Sequence, residues 1–235
     1  MRFAGLMNIR VALLSLFLAV VIAATSASAI SLGQLDDFED ATLKNWSNGG
    51  VAGVPAPTNV NSGGPGGAGD NYLQIASAGG GGAGSRLTIF NHAQWLGNYI
   101  AAGVTAIEVD LRNSGPTQLS IRLAFKSSLS MGGPAYLTQA AILPSGSGWQ
   151  HFTFSLAPAS LIPVAGPPAY NTLFSGGIAE VRFINEIGAN NSNGDIITAQ
   201  LGIDNIRAVP EPATFYLLGA GAVALACRRL KRARS

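Results

Sequence analysis

The sequence predicts an all-β fold, a two-sheet β-sandwich, for residues 30–209. Apolar and polar side chains alternate along short runs of this segment, which is typical of strands with one buried face. Clusters of Gly, Pro, Asn and Ser separate these runs, as turns do in antiparallel sheets. Helical periodicity is nearly missing, so about eight or nine predicted strands must provide the core, and a sandwich buries one face of each.

Residues 1–29 have the features of a secretory signal peptide rather than of a fold element. Arg2 and Arg10 precede an apolar stretch at 11–24, and Ala27 and Ala29 form the A-x-A pattern of a signal peptidase site. We therefore expect signal peptidase to cleave after Ala29.

The first half of the segment 30–209 alternates strand-like runs with glycine-rich loops. Strands are predicted within 31–40, over 71–76 and over 85–90. The loop at 47–70 contains the run GGPGGAG, which lacks the Lys-Ser/Thr of a phosphate-binding loop and is interpreted as flexible and exposed. Residues 93–102 are spaced for one or two helical turns.

The clearest strands are predicted over 104–112 and 118–126. Ile107, Val109 and Leu111 share one face of the first strand, and the second strand repeats the alternation. A short turn at 113–116 joins them, so the sequence predicts a hairpin in which the acidic outer face of one strand meets the basic outer face of the other.

Four further strands are predicted towards the end of the segment. They cover residues 136–143, 149–156, 178–187 and 196–209. In the second of these, Phe152 and Phe154 are expected to face inward and Thr153 and Ser155 outward.

Charge and cysteine content exclude several classes of function. The chain has 14 basic and 12 acidic residues, but seven of these bases and one of these acids lie in 1–29 and 210–235. Residues 30–209 keep seven bases and 11 acids, a net charge of −4, so no nucleic-acid-binding footprint is expected. The single cysteine is Cys227, which leaves the sandwich without a disulfide or a cysteine-based metal site.

The last 26 residues have three parts in a fixed order. Pro210-Glu211-Pro212 comes first, an apolar run at 213–227 follows, and a basic cluster that begins with Arg228 and Arg229 ends the chain. The apolar run is short for a helix that spans a bilayer permanently, and the cationic end is expected on the cytoplasmic side. The alternative is a C-terminal membrane anchor that is never cleaved.

This order resembles the PEP-CTERM sorting signal of Gram-negative, exopolysaccharide-producing bacteria. The resemblance implies that the sorting motif, Pro210, Glu211, Pro212, Arg228 and Arg229, is recognised by an exosortase, which removes the tail. It also implies a transient stay in the inner membrane and delivery to the cell surface or the extracellular matrix. The expected organisation is a signal peptide at 1–29, a β-sandwich at 30–209 and a sorting signal with a short transmembrane helix at 210–235.

A second resemblance covers most of the sandwich. Phe38-Glu39-Asp40 followed by Trp46, the W-x-x-F-x-F of 149–154 and the GIDNIR of 202–207 resemble jelly rolls of the carbohydrate-binding-module or galactose-binding type. The resemblance implies a jelly-roll sandwich and one structural Ca²⁺, held by Glu39 or Asp37 together with Asp204. The alternative is a polar strand end and a turn-forming aspartate without metal.

Two further candidate sites are a glycan-binding platform and a catalytic centre. Trp95 and Tyr99, in the irregular segment, are the predicted aromatic plate for a sugar. Glu108-x-Asp110 lacks the second glutamate that a retaining jelly-roll glycosidase needs, and neither His92 nor His151 belongs to a zinc motif. We therefore expect no enzyme activity and no catalytic residues.

The sequence thus predicts an exported, non-catalytic cell-surface or matrix protein that associates with exopolysaccharide. The alternative is a dedicated carbohydrate-binding, lectin-like module, and a third hypothesis is an uncharacterised polysaccharide hydrolase.

Overall fold

Thirteen strands form two antiparallel sheets in the computed structural model, which describes residues 29–50 and 52–210. The strands in chain order are β1 Leu35–Asp36, β2 Trp46–Ser47, β3 Thr58–Val60, β4 Tyr72–Ala78, β5 Thr88–Asn91, β6 Ala106–Asn113, β7 Leu119–Lys126, β8 Ala135–Leu137, β9 Ala141–Leu143, β10 Gln150–Ser155, β11 Ile162–Val164, β12 Glu180–Asn185 and β13 Thr198–Val209. Two short helices, α1 Tyr99–Ala102 and α2 Tyr170–Phe174, and a 3₁₀ turn at Pro158–Ser160 complete the fold. The predicted signal peptide, except for Ala29, and the sorting tail beyond Pro210 lie outside the described residues.

The first sheet, sheet A, has the strand order β10-β6-β13-β4-β3, and β1 pairs with the end of β13. The second, sheet B, has the order β11-β8-β7-β12-β5-β2, and β9 pairs with β7. This arrangement confirms the predicted all-β, two-sheet sandwich.

The core lies between the sheets and uses the alternation that the sequence shows. Ile107, Val109 and Leu111 of β6 are 1% exposed or less and face the equally buried Ile121 and Phe125 of β7 across the sandwich. A smaller apolar cluster covers the other side of sheet B, and its members are Ala124, Ala135, Leu137, Val164 and Ile184. Sheet B is therefore buried over much of both faces.

The predicted hairpin of 104–112 and 118–126 is wrong. β6 pairs with β10 and β13 in sheet A, whereas β7 pairs with β12, β8 and β9 in sheet B. The connection at 114–118 crosses from one sheet to the other. Apolar and polar residues alternate in the same way in two strands that pair and in two strands that face each other across the sandwich. The alternation therefore does not identify which strand pairs with β6.

Two predicted strands are shorter or divided. The run 136–143 forms two separate strands, β8 and β9, and only Leu35–Asp36 of the run 31–40 is a strand. Among the residues that the structure describes, no helix has the length and apolar composition that crossing a membrane requires.

The glycine-rich loop at 62–70, expected from the sequence to be flexible, folds back on itself as a hydrogen-bonded turn. Gly63 and Gly64 donate backbone hydrogen bonds to the carbonyls of Gly67 and Asp70 at 2.9 Å. Gly66 donates its N–H to the Asp70 carboxylate at 2.5 Å. A side chain at Gly64 would collide with that carboxylate, because an added Cβ would lie 2.4 Å from Asp70 Oδ2. Glycine is required here by the close approach of Asp70.

Candidate functional site

An acidic cluster occupies the outer face of sheet A, and Asp204 of β13 is at its centre. Asp204 lies directly opposite Asp110 of β6 and is 1% exposed. Its Oδ1 accepts the backbone N–H of Asn205 at 2.7 Å, but its Oδ2 is buried without a hydrogen-bond partner in the described residues. A buried carboxylate oxygen without a donor is costly, which marks this position as a candidate ligand site.

A bulge in β13 sets this geometry. The pairing of β13 with β6 shifts register between Asp204 and Arg207, and Asn205 has a φ of 51°. Asparagine tolerates this left-handed conformation better than most residues. Asn205 also donates its side-chain amide to Asp110 Oδ2 at 2.9 Å, which holds the bulge against β6.

Burial raises the pKa of Asp204 to about 8. The Asn205 N–H lowers this pKa, while the negative charges of Asp70, Asp110 and Glu39 raise it further. The carboxyl groups of β6, the loop after Phe38 and the glycine-rich loop therefore lie near enough for their charges to act on Asp204. Such a concentration of acid favours a bound cation or a proton.

The structure separates the two predicted calcium partners of Asp204. Glu39 is close enough for its charge to act on Asp204, and its Oε1 accepts the Asn71 N–H at 2.8 Å. Asp37 instead faces Lys44, with its Oδ1 3.9 Å from Nζ. Over 29–50 and 52–210, no three His, Cys, Asp or Glu side chains are grouped closely enough to form a metal site by themselves. Any Ca²⁺ here needs carbonyl oxygens to complete its ligands, as protein calcium sites commonly do.

Asp36, which directly precedes Asp37 in the sequence, has a structural role. It is 3% exposed, and its Oδ2 accepts the indole N–H groups of Trp46 at 2.8 Å and Trp95 at 2.6 Å, as well as the Gln94 amide. Burial raises the pKa of Asp36, and the two indole donors oppose that shift. Asp36 therefore ties the opening strand to the tryptophans of the core.

The predicted glycan platform at Trp95 and Tyr99 is wrong. Both side chains are 1% exposed. The Trp95 ring packs 6.3 Å from Trp46, and the Tyr99 ring packs edge-on against Phe125 and Phe174. The irregular segment folds into the core, so neither ring offers a face to a ligand.

A groove on the outer side of β5 is the second candidate site, and we call it the β5 groove. It consists of two cavities, of about 210 and 610 Å³, and Phe90 lines both of them. Arg86, Thr88 and Phe90 point outward on alternate residues, between the buried Leu87 and Ile89. Asn48, Val54 and the loop at 82–85 contribute to the walls of the smaller cavity.

Phe90 contacts a histidine and an arginine. The His92 ring stacks on Phe90 with centroids 4.8 Å apart, and the guanidinium carbon of Arg182 is 5.5 Å from the Phe90 centroid. Glu180 holds both neighbours, because it binds the Arg182 guanidinium and accepts from His92 Nε2 at 2.5 Å. An apolar ring framed by fixed polar groups in an open concavity is typical of small-molecule and sugar sites.

A buried ion cluster lies under the groove. Lys126, with no exposed surface, contacts Glu180 Oε1 at 2.9 Å. Burial lowers the pKa of Lys126, although Glu180 opposes the shift. Burial pushes the pKa of Glu180 up, but hydrogen bonds from Arg182, His92 and Lys126 outweigh it and leave this pKa below its usual value. Glu180 is therefore a fixed anion that positions the groove side chains.

Sequence reasoning missed the β5 groove. A signal was present, since Arg86, Thr88, Phe90 and His92 occupy alternate positions in and next to β5. Recognising a groove also requires the loops that wall it, and no pattern in the sequence brings those loops to β5.

Comparisons with known proteins agree with the sorting tail and the fold. Residues 208–232 match the PEP-CTERM protein-sorting motif, which confirms the recognition of this signal. No curated protein sequence matches the chain.

Two solved structures share the jelly-roll fold. One is a family 11 carbohydrate-binding module from Clostridium thermocellum, in complex with a β-1,3-1,4-mixed-linked tetrasaccharide; it is 17% identical, covers 78% of this chain and 98% of its own, and has a TM-score of 0.51. The other is the family 11 module of the cellulosomal cellulase Lic26A-Cel5E of Clostridium thermocellum, also 17% identical, with 78% and 96% coverage and a TM-score of 0.50. The sandwich therefore has the fold of a carbohydrate-binding-module jelly roll.

Proposed function

We propose that this protein is an exported, non-catalytic sandwich that binds extracellular polysaccharide and is delivered by an exosortase. The observation that carries the binding role is the β5 groove, an open concavity with Phe90 at its centre and polar side chains around it. The fold supports the proposal, since two carbohydrate-binding modules share it and one of them was solved in complex with a tetrasaccharide. The sorting motif at 208–232 supports export and processing at the membrane.

The groove would bind sugar with the two kinds of contact that sugars need. Phe90 provides apolar surface for the C–H face of a pyranose ring, and Asn48, Thr88 and Asn193 provide hydrogen-bonding groups. Because Glu180 fixes Arg182 and His92, little side-chain entropy is lost when a ligand binds. A glycan array probed with the full chain tests this role, and the absence of any glycan signal would contradict it.

The delivery route has its own test. We propose that signal peptidase removes residues 1–29, that the tail is held transiently in the inner membrane, and that exosortase then removes it. Mass spectrometry of the cell-surface protein should give Ile30 as its first residue and no Arg228-Arg229 peptide. An intact C-terminus on exported protein would support the plain anchor instead.

We also propose a structural Ca²⁺ at the acidic cluster, held by Glu39 and Asp204. The buried Oδ2 of Asp204 supports it, since this oxygen fits a cation and accepts no hydrogen bond from the residues that the structure describes. The cation would supply positive charge among four carboxyl groups. Asp37 is left out because Lys44 already faces it.

A further inference from the structure

The outer face of sheet B concentrates positive charge in an acidic domain. Residues 30–209 contain seven basic residues and a net charge of −4. Four of the seven lie on this face or at its edge, and these are Arg86, Arg122, Lys126 and Arg182. The acids near them are Glu180, Glu186 and Asp195, so the bases remain in excess. A local excess of positive charge on an otherwise acidic protein points to an anionic ligand more specifically than positive charge spread over a basic protein does.

The wall of the smaller cavity of the β5 groove has this excess of positive charge. Its charged lining side chains are Arg86 and Arg182, and none of the described residues that line it is acidic. Asn48, Asn193 and Thr88 add uncharged hydrogen-bonding groups. The cavity therefore has two guanidinium groups and no carboxylate.

The neighbouring acids do not neutralise these guanidinium groups. Glu180 is the carboxylate that contacts Arg182, and it is shared with Lys126 and His92. Arg86 donates from Nη1 to the Gly194 carbonyl and, within the described ranges, has no carboxylate at ion-pair distance. Arg86 thus keeps a net charge and donor groups at the cavity wall.

We propose that the β5 groove binds an acidic polysaccharide through the carboxylates of its uronate residues, with Arg86 as the principal contact. The planar guanidinium fork matches a carboxylate in two parallel hydrogen bonds. Phe90 packs against the apolar face of the adjoining sugar. This inference rests on the proposed glycan binding and specifies the class of glycan.

Polygalacturonate and its carboxyl-reduced form test this directly, because they share a backbone and differ in charge. Isothermal titration uses the full chain in detergent, wild type and variants. The Arg-rich tail also attracts polyanions, but it is identical in every variant, so differences between variants report the groove. Arg86→Gln is the test variant, Arg86→Lys keeps the charge, and Arg207→Gln removes an arginine from sheet A as the matched control.

Wild type should bind polygalacturonate at least tenfold more tightly than the reduced polymer, and more weakly as salt rises. R86Q should lose about tenfold in affinity, R86K less than threefold, and R207Q less than twofold. Equal affinity for the two polymers would overturn the acidic preference and leave glycan binding standing. Equal losses of affinity in R86Q and R207Q would overturn the role of the groove. If the wild type bound neither polymer, this inference would be overturned, and the glycan array would still test the proposed function separately.

Discussion

Asp204 and Asp110 lie directly opposite each other on adjacent antiparallel strands, on the same outer face of sheet A. Like charges in such a pair destabilise a sheet unless a proton or a cation relieves the repulsion. Asp110 has partners, since His151 Nδ1 lies 2.9 Å from its Oδ1 and Asn205 donates to its Oδ2. Among the described residues, the only hydrogen-bond donor to Asp204 is the Asn205 N–H, so we expect the repulsion to be relieved at Asp204.

Calcium should therefore stabilise the protein through Asp204. At a concentration of about 100 times Kd, we expect Ca²⁺ to raise the Tm of the wild type by about 5–10 °C. Asp204→Asn should abolish this shift, because it removes the buried ligand charge. Asp37→Asn should keep it, since Asp37 faces Lys44. Differential scanning calorimetry with EDTA and with Ca²⁺ measures the shift, and an unchanged wild-type Tm would remove the calcium site.

Without metal, stability should fall as pH rises from about 4 to about 8. The pKa of Asp204 is about 8 in the folded protein and near 3.8 in the unfolded chain. Between these values the folded state binds the proton more tightly, so the free energy of unfolding decreases with pH and levels off above about 8. Urea titrations of EDTA-treated protein at several pH values measure this slope. Asp204→Asn should flatten the slope, and an identical slope in the variant would rule out Asp204 as its source.

Asp36→Ala should be strongly destabilising. It removes the acceptor of the Trp46 and Trp95 indoles and leaves both N–H groups buried without a partner, at a cost of about 3–5 kcal/mol. Asp37→Ala, one residue away on the surface, should change the free energy of unfolding by less than about 1 kcal/mol. Urea denaturation compares the two, and similar losses would contradict the anchoring role of Asp36.

Gly64→Ala tests whether the glycine-rich loop is ordered. The added methyl would lie 2.4 Å from Asp70 Oδ2 and 2.9 Å from the Asp70 carbonyl, so we expect a loss of about 1–3 kcal/mol. Gly81→Ala is the matched control, because an added Cβ there meets nothing within 4 Å. Thermal denaturation of both variants would show equal stability if the 62–70 loop were a flexible linker.

The sequence predicted the sandwich and many inward faces but not which strands pair. Ile107, Val109 and Leu111 were correctly placed in the core, because alternation reports burial. The partner of β6 depends on a connection that crosses between sheets, and alternation carries no information about it.

Site prediction was limited by the same lack of three-dimensional information. Asp36 and Asp37 are adjacent and chemically identical, yet one binds two indoles and the other faces Lys44. Only the local backbone decides between those environments. Trp95, expected at the surface, can be buried because Asp36 accepts the hydrogen bond of its indole N–H inside the core.

Polysaccharide retention by a Phe90 variant tests the proposed function most directly. Affinity electrophoresis of the full chain through gels containing exopolysaccharide from its own organism compares the wild type with Phe90→Ala and Leu35→Ala. Leu35 is 43% exposed on sheet A and serves as the apolar control. We expect the wild type and L35A to be retarded and F90A to run at least halfway back to its mobility in gels without polysaccharide, because F90A removes the ring that lines both cavities of the groove. Equal retardation of F90A and wild type, or no retardation of any form, would contradict glycan binding at the β5 groove.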